Sequence, residues 1–141
     1  MGRARQYVKL SPVSSIQVAD QTFIAAAPER IAAAVARRDR WRVWWPDLAL
    51  TVREDRGEKG IRWTVTGPLN GTMEVWLEEM LDGAIVHYFL HCEPTGIAPD
   101  RVGLLDLAEL NRERRVAGKK MVFEVKRQLE AGRAAGEPPQ G

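Results

Sequence analysis

The alternation of apolar and polar positions predicts strands along most of this chain and helices at two places. SIQVADQTFIA, residues 15–25, alternates weakly and carries β-branched residues, which predicts a strand. Pro28 stops it and suits the first turn of a short helix, in which Glu29 complements the positive end and Ile31 and Val35 share a face. A second helical turn is predicted from Asp39 to Trp44. It must end before Pro46, which cannot continue a helix and restricts Trp45.

Period two then returns. Leu48, Leu50 and Val52 alternate with polar neighbours, the turn RGEKG follows, and Ile61, Trp63 and Val65 share the next face, which predicts a hairpin. After Gly67-Pro68, Met73, Val75 and Leu77 oppose Thr72, Glu74, Trp76 and Glu78, the pattern of a half-buried antiparallel strand. Asp82-Gly83 signals a tight turn into AIVHYFLHC, with Val86, Tyr88, Leu90 and Cys92 on one face and Ile85, His87, Phe89 and His91 on the other. Beyond EPTGIAPD the period becomes helical. Leu107, Leu110, Arg114, Gly118, Met121 or Val122, Val125 and Leu129 form one stripe, so a long C-terminal helix lies across the sheet. Gly118 inside it costs ~1 kcal/mol relative to alanine and marks a close approach or room left beneath the helix.

Length and composition narrow the class. The chain's 141 residues suit one domain, expected over 15–131, with a loosely ordered basic arm at 1–14 and a flexible tail at 132–141. At 45% hydrophobic and 28% charged, with no apolar run of membrane-spanning length, it has the composition of a soluble globular protein. Net charge is only +2, which argues against nucleic acid as a partner. The single cysteine excludes an internal disulfide framework, Gln6 stands where a myristoylation signal needs Ser or Thr, and no secretory signal opens the chain. A cytoplasmic location is expected.

A strand ending in FIAAAPERI, a short helix, the tryptophan-rich corner WRVWWP, a run of antiparallel strands and one long terminal helix together resemble the START-like SRPBCC superfamily. Within it the chain is similar to the bacterial polyketide cyclase/dehydrase and lipid-transport branch, over Ile16 to Leu129. The resemblance implies an α+β helix-grip fold: a curved antiparallel sheet wrapped around the C-terminal helix, an apolar pocket between them, and two short helices closing one end. The superfamily commonly has seven strands, whereas five are countable here. A shortened sheet implies a smaller or more open pocket than a large sterol-like ligand needs.

The residues expected to line the pocket are Trp63, Val65, Met73, Val75, Leu77, Val86, Tyr88 and Leu90 from the strands and Met121, Val122 and Val125 from the helix. Trp41 and Trp44, on one helical face, wall its closed end, and Trp45 is left as an exposed rim residue. Close-packed core is the competing reading of the same residues. Tyr88 is the best polar anchor, since a buried phenol needs a partner; Asp20 and Arg114 are weaker ones.

Other chemistry is poorly served. His87 and His91 on one strand have α-carbons about 13 Å apart at ~3.3 Å per residue, too far to share a metal, and Cys92 points the other way as an inert buried thiol. No metal or cofactor is expected. Arg37, Arg38, Arg40 and Arg42 interleave with the tryptophans, a mixture suited to transient contact with an anionic membrane surface. No residue is assigned a catalytic role. The expected function is non-catalytic binding or transport of a hydrophobic small molecule, lipid or polyketide-like. The alternatives are a polyketide aromatase/cyclase or dehydrase with Tyr88 as acid or hydrogen-bond donor, and an interaction module with a filled core whose Trp76 and Phe89 face meets an unknown protein partner.

Overall fold

The computed structural model describes residues 14–131, so the expected arm, Ser14 apart, and the expected tail lie outside the described residues. Strand β1 (Ile16–Ile24) leads through helices α1 (Pro28–Val35) and α2 (Arg38–Trp44) into β2 (Ala49–Asp55), β3 (Gly60–Thr66), β4 (Leu69–Met80) and β5 (Gly83–Pro94). Helix α3 (Leu107–Glu130) follows, started by Asp106, whose carboxylate accepts the Glu109 N–H at 3.1 Å. The strands form one antiparallel sheet in the order β1-β5-β4-β3-β2.

Five strands and the period of α3 agree with the alternation in the sequence. Gly118, Met121, Val122, Val125 and Leu129 are the buried stripe of α3, packed on the inward face of the sheet. The α1–α2 corner closes one end of this sandwich: Ile31, Val35, Trp41 and Trp44 are buried, and the Trp41 indole donates to the Val35 carbonyl at 2.7 Å. Two charged pairs tie that corner to α3. Arg40 grips Glu124 through both guanidinium branches (2.9 and 2.5 Å), and Arg114 grips Asp47 likewise (3.0 and 2.7 Å).

The β4–β5 turn differs from expectation by one residue. Met80 pairs with Gly83, so Leu81 and Asp82 occupy the central positions and Leu81 takes the positive φ of 51°. Gly83 lies in the strand instead, where it must be glycine: a Cβ there would stand 2.1 Å from the Ile24 carbonyl oxygen.

Candidate ligand-binding site

Between sheet and helix the aromatic side chains meet one another. Trp63 of β3 lies edge-on to Trp41 (centroids 5.4 Å apart, planes at 86°) and to Trp45 (5.6 Å, 61°), and Trp44 packs edge-on against Trp45 (5.6 Å, 77°). Trp45 also stacks parallel to Tyr88 of β5 at 6.3 Å. Such pairs contribute about 0.5–1.5 kcal/mol each beyond simple burial.

Every residue expected to line the pocket is buried: Trp41, Trp44, Trp63, Val65, Met73, Val75, Leu77, Val86, Tyr88, Leu90, Met121, Val122 and Val125. The structure brings them together as a closely packed set. Depressions of about 740, 540, 380 and 300 Å³ lie at the surface, and of the inward set only Leu77 borders one of these four.

Trp45 corrects the expectation of an exposed rim residue, since it is 1% exposed. It is the C-cap of α2 with φ −134° and ψ 70°, so helical spacing no longer governs where its side chain goes. In this non-helical conformation the indole lies inward, between Trp63 and Tyr88.

Tyr88 is the polar centre of this set. Its hydroxyl donates to the Met73 sulfur at 3.3 Å, a weak acceptor, and burial pushes the phenol well above its usual range, so it stays protonated. The Trp45 N–H, close to the phenol but short of good hydrogen-bond geometry, opposes that shift most, and the Arg114 charge opposes it less. Nε1 of Trp63 likewise has no acceptor among the described residues. Nε1 of Trp44 misses good geometry too, yet it lies close enough to Glu124 to help hold that carboxylate below its usual range, behind the larger effect of Arg40.

The weaker anchors are engaged elsewhere. Asp20 pairs with Lys119 at 2.8 Å, and Arg114 pairs with Asp47 over the edge of the aromatic set. Cys92 is buried with its thiol pushed up to about 11, chiefly by desolvation. His87 faces outward, bonded to Glu78 at 2.9 Å and stacked between Trp76 (4.5 Å) and Phe89 (6.2 Å), while His91 is exposed. No group of three or more potential metal-ligating side chains occurs among the described residues. In the arginine-rich corner, Arg38 and Arg40 lie over the Trp41 and Trp44 rings, leaving Arg42 and Val43 on the outer face of α2. No helix among the described residues is long and apolar enough to cross a membrane.

No protein-family model matches the chain, and no curated protein matches it. Solved structures do. The Aha1 dimer from Colwellia psychrerythraea superposes with a TM-score of 0.56 at 17% identity, covering 84% of this chain and 99% of that one. A polyketide-cyclase-like protein from Corynebacterium glutamicum gives 0.52 at 20% identity, covering 85% and 94%. The di-domain ARO/CYC of the steffimycin biosynthetic pathway gives 0.57 at 15% identity, covering 79% of this chain and 49% of that one. With a five-stranded antiparallel sheet closed over one long terminal helix, the chain has the helix-grip fold, which it shares with these solved structures.

Proposed function

We propose that this chain binds an apolar small molecule, lipid or polyketide-like, in space opened between the inward face of the sheet and α3. The observation that carries this reading is the pair of buried indole N–H groups on the neighbouring Trp45 and Trp63 rings: neither makes a hydrogen bond of good geometry among the described residues, and Trp45 has only a poorly aligned approach to the Tyr88 phenol. An unpaired buried donor costs about 1–3 kcal/mol. A ligand carrying carbonyl or hydroxyl oxygens would relieve that cost while its apolar surface contributes ~25 cal/mol per Å² buried.

The rings fill the space between them, so binding selects an opened form in which the Trp45 corner swings away from α3. Of the contacts that hold the corner there, Arg114–Asp47 and Arg40–Glu124 are partly exposed ion pairs of the kind that contributes about 0–1 kcal/mol, and the ring contacts of Trp45 are those that ligand contacts would replace. Opening lowers the apparent affinity by the fraction of molecules that are open. The reading assigns no base or nucleophile to this core, because the buried Tyr88 and Cys92 both stay protonated near neutral pH.

A second reading, an aromatase/cyclase, is favoured by the likeness to the steffimycin ARO/CYC and by one feature here. A neutral buried Tyr88 is suited to donate a hydrogen bond to a substrate carbonyl. Under that reading Tyr88→Phe abolishes turnover of a polyketide chain and leaves the fold intact; unchanged turnover removes Tyr88 from the mechanism.

Calorimetric titration with tetralone, an aromatic bicyclic ketone, and with tetralin, the same skeleton without its carbonyl, tests the binding reading. The ketone should bind more tightly, and Trp63→Phe, which leaves only the Trp45 donor, should reduce the difference. If neither binds, and native mass spectrometry of protein purified from its own host shows no lipid-sized adduct, the reading fails.

A further inference from the structure

The outer edge of β1 is open in the middle and closed at both ends. β1 ends the sheet, with β5 as its partner, and the odd-numbered residues turn their N–H and C=O groups away from β5. At one end the Gln17 N–H donates to Asn111 Oδ1 (2.8 Å) and the Asn111 amide donates to the Ser15 carbonyl (3.0 Å). At the other, Lys126 donates to the Phe23 carbonyl (2.8 Å) and Glu130 accepts the Ala25 N–H (2.7 Å). Between these caps, Ala19 and Gln21 present the same groups, and no partner takes them among the described residues. The span from Gln17 to Phe23 is about 20 Å at ~3.3 Å per residue. That is room for one short strand.

The flank of α3 beside this gap is cationic with an apolar centre. Val116 and Phe123 are 39% and 43% exposed, and with Ala19 they border the depression between β1 and α3. Arg115 and Lys120 stand there without an ion-pair partner among the described residues, and Arg127 lies nearby. The two acids of the flank are already held, Asp20 by Lys119 and Glu124 by Arg40. Lys119 also donates to the Thr22 hydroxyl at 3.1 Å while Asp20 offsets its charge, so the positive charge beside the open edge comes from Arg115 and Lys120. A charge there discourages apolar strands and copies of this chain, and it favours an acidic strand. The chain's own N-terminal segment is an unsuitable occupant: residues 1–13 contain Arg3, Arg5 and Lys9 and no acid.

We propose that the β1 edge takes up an extended acidic peptide segment of a partner protein as an added strand. Ala19 and Gln21 supply the main-chain pairing, Val116 and Phe123 contact its apolar side chains, and Arg115 and Lys120 meet its carboxylates. This surface is separate from the space between sheet and helix, so the two proposals stand or fall independently.

The test uses a capped (Glu-Val)4 octapeptide, a capped (Lys-Val)4 octapeptide and anionic phosphatidylglycerol vesicles, with binding followed by fluorescence anisotropy and by amide hydrogen exchange. The acidic peptide should bind, weaken as salt rises, and slow exchange at Ala19 and Gln21. Ala19→Pro removes an edge N–H that β5 does not use and should abolish binding; Arg115→Glu with Lys120→Glu, on exposed positions that leave the fold intact, should weaken it at least about tenfold. Equal binding of the two peptides, or unchanged exchange at Ala19 and Gln21 on saturation, would overturn the proposal. Binding of the vesicles without the acidic peptide would overturn it as well, and would identify the flank as a lipid-facing surface.

Discussion

The ring of Tyr88 fills the notch that Gly118 leaves in α3: a Cβ at position 118 would stand 2.5 Å from Tyr88 Cε2 and 2.7 Å from Cδ2. Strand β5 and helix α3 therefore touch ring against backbone at the centre of the sandwich. That contact places the phenol beneath the helix, and it explains a glycine kept at the middle of a long helix against its propensity.

Gly118→Ala gains up to about 1 kcal/mol of helix propensity and must displace a ring that has no free space around it. The net expectation is destabilisation of about 1–3 kcal/mol, read as a lower urea midpoint with an unchanged slope. Combining it with Tyr88→Val, which empties the notch, should cost less than the sum of the two single changes. Strict additivity would mean that the two residues do not share the space.

The Asp47–Arg114 bridge sets a dependence on pH with a definite sign. Hydrogen bonds from Arg114 hold the Asp47 carboxyl below its usual value of about 3.9, so folding favours the ionised form. The bridge's contribution is fully present above that unfolded value and disappears as pH falls through the depressed folded value. Asp47 is half exposed, which limits the contribution to about 1 kcal/mol. Asp47→Asn should lower the urea midpoint at neutral pH, and the gap from the parent protein should close toward pH 2. A gap that persists in acid would assign the effect to shape and remove charge from the explanation.

Cys92 should be nearly inert in the folded protein. Its thiol is buried against the Thr72 carbonyl (4.0 Å) and pushed up to about 11, so little thiolate forms near pH 8. Alkylation by iodoacetamide should follow the opening of the sheet, accelerating with urea in parallel with unfolding. Rapid labelling in native buffer would show that β5 is accessible from outside.

The parts of this fold that were legible in the sequence are those where one periodicity runs unbroken. Met73, Val75 and Leu77 alternate with polar neighbours, and the stripe from Leu107 to Leu129 keeps its helical spacing, so strand faces and the packed side of α3 could be assigned before any coordinates. Errors fell where one period gives way to another. Trp45 follows a helix and precedes a proline, so neither spacing rule governs it, and it is buried where an exposed ring was expected. The β4–β5 turn lies at Leu81-Asp82, and Gly83 instead meets Ile24 closely, a contact between residues distant in sequence that no local pattern encodes. Nor did any local signal show that Trp45 and Trp63 would lack a well-formed N–H bond while Trp41 made one, which depends on how separate segments meet.

The central claim is that the buried N–H groups of Trp45 and Trp63 are the polar contacts of a ligand space that opens between sheet and helix. The most direct measurement is the indole N–H region of a nitrogen-15 NMR spectrum, with the tryptophans assigned by substitution, during titration with tetralone. The Trp45 and Trp63 resonances should move downfield as each donor gains an acceptor, while that of Trp41, already bonded to the Val35 carbonyl, should stay in place. Uniform small shifts of all the indoles, or none at a ketone concentration that saturates calorimetric binding, would contradict the account.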